Sequence, residues 1–175
     1  MSRPDAFAEI MHAADAALVV VTAAEAGERA GCLVGFHAQS SMAPERYCAW
    51  LSKANHTYRV AQRSAYLAVH FLTAADGPLA ERFGTLSGDH TDKFAGLEVR
   101  EMAGGVPVLA ACPSWLVLRR TVLLDEGGDH VCVTGEPVAA QSAGPFRPLR
   151  VSDVGHLVPG HLNSERPHPP TERAT

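Results

Sequence analysis

The sequence predicts a mainly β protein, in which an antiparallel sheet closes into a β-barrel and a few helices flank it. Short β-branched and aromatic segments recur along the chain, whereas few segments have helical spacing. Most gaps between the predicted strands are too short for the crossover helices that a parallel sheet requires. The run 125–128, Asp-Glu-Gly-Gly, is typical of the tight turn of a β-hairpin.

The first quarter of the chain predicts a helix and two paired strands. The helix covers 4–12, and its apolar residues fall on one side. The β-branched run 18–22 and the segment 30–37 predict two strands of an antiparallel hairpin. A loop rich in hydroxyl groups follows at 39–44. The apolar residues of the helix are Phe7, Ile10 and Met11.

The remaining elements alternate in the same way. Further strands are predicted at 46–52, 66–72, 115–124 and 130–135. One helix is capped by Asn55 or Thr57 and runs to Arg63, and another begins at Asp76-Gly77-Pro78. Residues 1–158 are predicted to form one domain, and the proline-, histidine- and charge-rich stretch 159–175 to be a disordered tail.

Composition excludes several classes of partner. A formal net charge of −4 argues against a nucleic-acid partner, because phosphate backbones demand a basic surface. No apolar run approaches the roughly 20 residues that cross a bilayer, so no membrane partner is expected. The N-terminus has no uninterrupted apolar stretch of the kind found in signal peptides, so the expected location is cytoplasmic.

Cysteines and histidines do not form a metal motif. The four cysteines match no zinc spacing, and a structural role as small apolar side chains is favoured. The nine histidines are scattered singly, so no metal ligands are assigned. A metal-dependent hydrolase built from them stays as a weaker third hypothesis. Fingerprints of Rossmann domains, P-loops, zincins and α/β-hydrolases are absent from the sequence.

The segment 52–57, Ser-Lys-Ala-Asn-His-Thr, has the chemistry of a phosphate site. Lys53 carries a positive charge, Ser52 and Thr57 carry hydroxyl donors, and the amides at the start of the next helix point outward. The alternative is a solvent-exposed loop that ends in a helix cap. The spacing alone favours the loop and helix cap.

Four segments in order resemble the flavin reductase-like, FMN-binding split β-barrel family. That family shows G-M-T-x-S-x-F-x-S-V-S-x-x-P-P, then N-x-S-S-x-T, then D-R/K-F-A-G, then G-D-H before a strand. The chain has Gly31 to Pro44, the segment 52–57, Asp92-Lys93-Phe94-Ala95-Gly96 and Gly128-Asp129-His130. The resemblance covers about residues 6–150, and the order and spacing of the segments carry it.

The resemblance implies FMN as the cofactor, with FAD possible, and NAD(P)H as the co-substrate. It implies a flavin reductase that is a homodimer and supplies reduced flavin to a monooxygenase partner. The flavin ring would lie along residues 37–41, with its phosphate on the segment 52–57, and His130 would be the catalytic residue on the nicotinamide side. The implied cofactor-binding residues are His37, Ala38, Gln39, Ser40, Ser41, Ser52, Lys53, His56, Thr57, Lys93 and Phe94.

The chain departs from the family pattern at the positions expected beside the flavin. His37 stands where an aromatic is usual, Gln39 where a small hydroxyl residue is usual, and Ser52 where asparagine is usual. Glu45 replaces the second proline. A second hypothesis is therefore a protein on the same barrel that binds FMN, another flavin-like cofactor or heme without turning over NAD(P)H.

Overall fold

The computed structural model describes residues 3–158 and 160, and this part of the chain is mainly β. Strands β1 to β9 are Val19–Glu25, Glu28–Val34, His37–Met42, Glu45–Ser52, Tyr66–Phe71, Val99–Glu101, Pro107–Leu109, Trp115–Leu124 and His130–Gln141. Helices α1, α2 and α3 are Arg3–Ala14, His56–Ala61 and Gly77–Thr85. Two short 3₁₀ turns lie at Ala103–Gly105 and Val151–Val154.

Seven strands form one antiparallel sheet in the order β2-β1-β5-β8-β9-β4-β3, and β6 pairs with β7 separately. The predicted hairpin of the first two strands is confirmed, and its turn has Ala26 and Gly27 at φ 50° and 81°. The hairpin of β8 and β9 is confirmed as well, with β9 running six residues further than predicted, to Gln141.

The expected closed barrel is not formed, because β2 and β3, at the two ends of the strand order, do not pair with each other. The chain passes from one to the other through Gly35 and Phe36 without reversing. The Phe36 carbonyl already accepts from the Trp50 amide, 2.9 Å away, in register with β3. These two strands are therefore successive parts of one path, which leaves the curled sheet open along that side.

The sheet nevertheless curls around one core. Buried residues from both sides of the opening, such as Cys32 on β2 and Leu51 on β4, join Val69 and Val133 in the same apolar cluster. A second cluster packs α3 and the segment after it against β1, with Phe83 and Phe94 at its centre. The segment from α3 to β8 is thus a packed insertion rather than a loose loop.

Buried hydrogen bonds fasten this insertion to the sheet. The Thr22 hydroxyl donates to the Pro107 carbonyl over 2.6 Å. The wholly buried His70 bridges two elements, with Nδ1 lying 3.0 Å from the Val20 carbonyl and Nε2 accepting from the Leu109 amide over 3.0 Å. The ring must therefore be neutral and protonated on Nδ1.

A clasp joins residues 15–18 to residues 149–152. Leu18 and Val151 amides donate to the Leu149 and Ala16 carbonyls over 2.8 and 3.0 Å. The carboxylate of Asp15 accepts from the amide and hydroxyl of Ser152, each over 2.8 Å. The clasp closes the sheet domain with contacts between residues that are very distant in sequence.

Two predicted features differ from the structure. The segment 39–44 is mostly strand β3 rather than a loop, because its backbone pairs with β4 across a register shift between Gln39 and Ser41. The apolar side of α1 is exposed, with Phe7 and Ile10 65% and 61% accessible, because nothing in the described part of the chain covers it.

Some predictions fall outside what the structure describes. The tail predicted at 159–175 lies outside the described residues apart from Gly160, and it stays a prediction. Among the described residues, no helix is long and apolar enough to cross a membrane.

Candidate functional site

A cavity of about 370 Å³ opens between β2, the start of α2 and the segment after α3. We call it the β2 cavity; it is lined by residues 28–31, His56, Gly88 and residues 90–94. Its volume falls within the range of small-molecule sites. It brings together His56, Lys93 and Phe94, which the sequence analysis drew from two separate motifs.

Lys93 is buried and forms part of the cavity wall. Its side chain is 5% exposed, and Nζ donates to the carbonyls of Gly31 and Phe83, each over 3.0 Å. Burial lowers the pKa of the ammonium below its usual value. Two of its three N–H groups are therefore already used within the protein.

Phe94 is a core residue that also borders the cavity. Its ring meets Phe83 edge-on, with centroids 5.5 Å apart, and it is 3% exposed. The Arg29 guanidinium lies 5.0 Å from the Phe94 ring centroid and pairs with Asp92 over 2.9 Å. The Phe94 amide and then Arg29 hold the pKa of Asp92 below its usual value.

His56 lies in a network of charged side chains. Its Nδ1 lies 3.0 Å from an Arg59 guanidinium nitrogen and 3.3 Å from the Asp89 carboxylate, and its Nε2 lies 3.2 Å from the Glu28 carboxylate. Arg59 also pairs with Asp89. One buried guanidinium nitrogen of Arg59, Nη1, has no hydrogen-bond partner.

These groups suit the phosphate end of a flavin mononucleotide. A phosphate takes charge-assisted bonds from guanidinium and imidazole N–H groups. Arg29, His56 and the unpartnered Nη1 of Arg59 supply such donors in or beside the cavity. The pair of Arg29 with Asp92 is partly exposed, and exposed ion pairs contribute little stability, so its exchange for a phosphate costs little.

The other members of the predicted phosphate segment point elsewhere. Lys53 pairs with Asp125, in the turn between β8 and β9, over 2.7 Å. Thr57 is 1% exposed, and its amide donates to the Asn55 side chain over 2.9 Å. The first turn of α2 is therefore capped from within, and of the segment 52–57 only His56 lines the β2 cavity.

The predicted ring-binding residues 37–41 lie on the edge strand β3. His37 is tied to the protein interior, with Nε2 2.9 Å from the Ala17 carbonyl and Nδ1 2.6 Å from the Tyr47 hydroxyl. Burial lowers the pKa of His37 and raises that of Tyr47 to about 12. Gln39 donates to the Ser41 carbonyl over 3.2 Å. The side chains of Ala38 and Ser40 are exposed.

His130 lies at the start of β9, opposite Ser52 on β4. Its Nδ1 is 2.8 Å from the Asp129 carboxylate, and its ring meets Phe36 edge-on, with centroids 5.2 Å apart. Phe36 is 60% exposed. Phe36 follows Gly31 by five residues, beyond the end of β2 at Val34 and the bend at Gly35.

Sequence reasoning missed three residues at the site: Arg29, Arg59 and Phe36. Arg29 lies between the two predicted strands 18–22 and 30–37, Phe36 lies in the second of them, and Arg59 lies in the helix predicted to run to Arg63. Nothing in their local sequence marks Arg29 and Phe36, because their partners Asp92 and His130 lie far away along the chain. Among the described residues, no group of three or more His, Cys, Asp or Glu side chains could hold a metal ion.

Comparison with known proteins places this architecture in a family. The model of the flavin reductase like domain matches residues 11–151. The chain belongs to that family. A relative, the stachydrine N-demethylase reductase subunit Stc3 of Rhizobium meliloti (strain 1021), is 27% identical over 145 residues, which are 81% of this chain. The chain spans only 60% of the length of that subunit.

Solved structures share the fold. An FMN-binding protein from Thermus thermophilus with bound 1-cyclohex-2-enone has a TM-score of 0.68 and 19% identity, covering 73% of this chain and 71% of that one. The flavin reductase HpaC complexed with NADP⁺ has a TM-score of 0.69 and 22% identity, covering 82% of this chain and 92% of that one. At these identities the likeness shows the fold alone.

Proposed function

We propose that this chain is a flavin reductase that binds FMN in a groove along β2 and uses NAD(P)H as the reductant. Membership of the flavin reductase like domain family supports the class. When bound, the flavin supplies the chemistry, accepting a hydride from the nicotinamide. The protein residues bind and orient the two nucleotides. In this proposal the open, curled sheet corresponds to the split-barrel type.

The observation that carries the proposal is the composition of the β2 cavity. It joins His56 of one family motif to Lys93 and Phe94 of another. Cationic donors surround one end of the groove, and the Phe36–His130 contact lies beyond the other end of β2, past Val34. A phosphate at the first end and a planar ring at the second match this separation of charge and aromatic surface.

At the phosphate end, Arg29 and His56 donate to the phosphate in this proposal. Arg29 reaches the cavity from β2, and its carboxylate partner Asp92 is half exposed and able to turn toward solvent. Ser52, Lys53 and Thr57, which the resemblance also assigns to the phosphate, stay predictions. Their present hydrogen bonds give Lys53 and Thr57 weaker support than His56.

At the ring end, β3 offers backbone groups to the edge of the ring. As the last strand in the sheet order, β3 has one edge that no other described strand pairs with. Residues 37–41 can donate and accept there through the backbone, with Ser40 adding an exposed side chain. His130 would contact the nicotinamide, which must stack with its reacting carbon roughly 3–3.5 Å from the flavin.

We also propose a homodimer. Trp50, Cys132 and Leu124 lie directly opposite one another on β4, β9 and β8, and Phe36, just before β3, continues the row because its carbonyl accepts from the Trp50 amide. The four residues therefore share one face of the sheet. We call this set the outer row. Phe36 and Leu124 are 60% and 50% exposed, and a second copy would cover this apolar surface next to His130.

A partner monooxygenase is part of the proposal as well. The Rhizobium meliloti relative is the reductase subunit of a stachydrine N-demethylase. By analogy, reduced flavin made by this chain would be used by a second, oxygen-consuming protein. FMN is the preferred cofactor, and FAD is the alternative that a titration separates.

Absorbance spectroscopy tests the proposal. The purified protein is titrated with FMN, FAD or heme, and NADH or NADPH is then added without oxygen. A bound flavin band that bleaches on adding the nucleotide supports the reductase. A bound flavin that does not bleach, or binding of heme alone, favours the non-catalytic binder. If no flavin binds, the proposed function is wrong.

A further inference from the structure

The Lys93 ammonium joins three elements at the wall of the β2 cavity. It belongs to the segment after α3, and its two acceptors are the carbonyls of Gly31 on β2 and Phe83 on α3. All three residues are buried.

The two carbonyls need this donor. Strand β2 is at the end of the sheet order, so its outer edge has no neighbouring strand to pair with. A buried carbonyl without a partner costs free energy, and a charged donor satisfies two such groups more strongly than neutral donors do. Lys93 therefore takes the place of a missing strand at this point of β2.

Packing around Gly31 depends on the same contact. A Cβ atom at Gly31 would lie 2.7 Å from Cε1 of Phe83, closer than side-chain atoms approach. The bare glycine lets α3 sit directly on the strand, and Lys93 fastens the two from the side. Lys93 and the Arg29–Asp92 pair are therefore two polar contacts that hold β2 against the segment that carries Phe94, and of the two only Lys93 is buried.

We propose that Lys93 is a positioning residue, which sets the width of the β2 cavity for the flavin and does not itself bind the phosphate. This inference rests on the proposed function, since it assumes that a flavin occupies the cavity. It differs from the assignment that the family resemblance implies, in which Lys93 contacts the cofactor directly. One ammonium N–H remains for such a contact, so the two roles need an experiment.

The experiment compares FMN with riboflavin, which has the same ring but no phosphate. Lys93→Met removes the charge and the donors at similar volume, and Lys93→Gln restores a donor without the charge. We expect Lys93→Met to weaken FMN and riboflavin by the same factor, on the order of tenfold. Lys93→Gln should recover part of both affinities. In both variants the salt dependence of FMN binding should match that of the wild type.

Gly31→Ala is the matched variant, since it separates β2 from Phe83 without changing any charge. It should also weaken both flavins equally. All affinities are measured well below each variant's Tm, so that the protein is folded throughout.

Two outcomes overturn the proposal. A loss for FMN with riboflavin unchanged means that Lys93 binds the phosphate directly. A lower Tm with both affinities unchanged means that its role is only structural. If the wild type binds neither flavin, the proposed function fails instead. Amide hydrogen exchange separately tests whether Lys93 holds β2 in place. If the amides of residues 28–34 exchange no faster in Lys93→Met than in the wild type, Lys93 does not hold the strand.

Discussion

Arg29 is the most accessible cation that lines the β2 cavity. Its guanidinium lies over Phe94 and pairs with the partly exposed Asp92. We expect Arg29→Met to weaken FMN binding by about 1.5–3 kcal/mol, the size of a lost charge-assisted contact, and to leave riboflavin binding nearly unchanged. Fluorescence titration with both ligands measures the two effects.

Arg63→Met is the control for this prediction. Arg63 pairs with Glu28 near the same cavity but does not line it. It should change FMN affinity much less than Arg29→Met does. Equal losses of FMN affinity in Arg29→Met and Arg63→Met would mean that FMN is attracted only by the overall electrostatic field of the protein.

His70 makes the stability of the fold depend on pH. Burial lowers its pKa to about 4, whereas an unfolded chain has a histidine pKa near 6.5. Between these values the unfolded state binds a proton that the folded state does not. The stabilising effect of the neutral ring is therefore complete above about pH 6.5 and is lost as the pH falls toward 4, by roughly 3 kcal/mol.

Urea denaturation at a series of pH values measures this effect. His37 acts in the same direction, because burial lowers its pKa too, so the wild type alone does not isolate His70. In His70→Gln the free energy of unfolding should be lower at pH 7 and should depend less on pH between 6.5 and 4. An unchanged dependence would assign the acid sensitivity to other groups.

The site residues were predictable to different degrees. The order of motifs singles out His56, Lys93 and Phe94 as candidates, and the structure brings the three to one cavity. The engagement of Lys53 was not predictable, since its partner Asp125 is 72 residues away. The burial of Lys93 was also hidden, because its acceptors are backbone carbonyls, which leave no mark in the sequence.

At the scale of elements, α2 depends on its cap. The helix has only six residues, and the Asn55 side chain accepts from the Thr57 amide at its start. We expect Asn55→Ala to lower the free energy of unfolding by about 1 kcal/mol, because the Thr57 amide loses its hydrogen-bond acceptor. Urea denaturation measures it.

Asn55→Asp keeps an acceptor at the cap and is the control. It should retain most of the stability. If the free energy of unfolding falls by the same amount in the alanine and aspartate variants, the loss does not come from the cap hydrogen bond. His56 follows the cap directly, so the same variants should also show whether a frayed helix weakens FMN binding.

Elements with strong local signals were predicted well, and elements that depend on distant partners were not. The β-branched run in β1 and the glycine turn after β8 place their strands from local chemistry. Strand β3 has hydroxyl-rich residues that favour a loop, and only its pairing with β4 makes it extended. The prediction of a closed barrel was wrong, because the number of strands does not say which of them pair. Here β2 and β3 follow each other through the bend at Gly35 and Phe36 and do not pair with each other.

At the scale of the whole molecule, the outer row predicts the state of assembly. Leu124 is half exposed at the β8 end of this apolar row. In a homodimer covering this face, Leu124→Lys would bury an unpaired ammonium, at a cost of several kcal/mol. We expect the wild type to be dimeric and the variant to be monomeric in light scattering coupled to size-exclusion chromatography.

Val138→Lys is the matched control. Val138 is 49% exposed, much like Leu124, and lies further along β9 away from the outer row. It should leave the dimer intact. A wild type that is monomeric at every concentration would remove the proposed homodimer.

The clasp between residues 15–18 and 149–152 affects how the protein is made. Arg150 donates to the Asp15 carbonyl across 135 residues of chain. Ribosomes add about 5–20 residues per second, so the start of β1 waits on the order of ten seconds for its partner. During that time the nascent chain can form the hairpin of β1 and β2. The backbone of residues 15–18 has no partner yet, so chaperones or other nascent chains on the same messenger RNA can bind it.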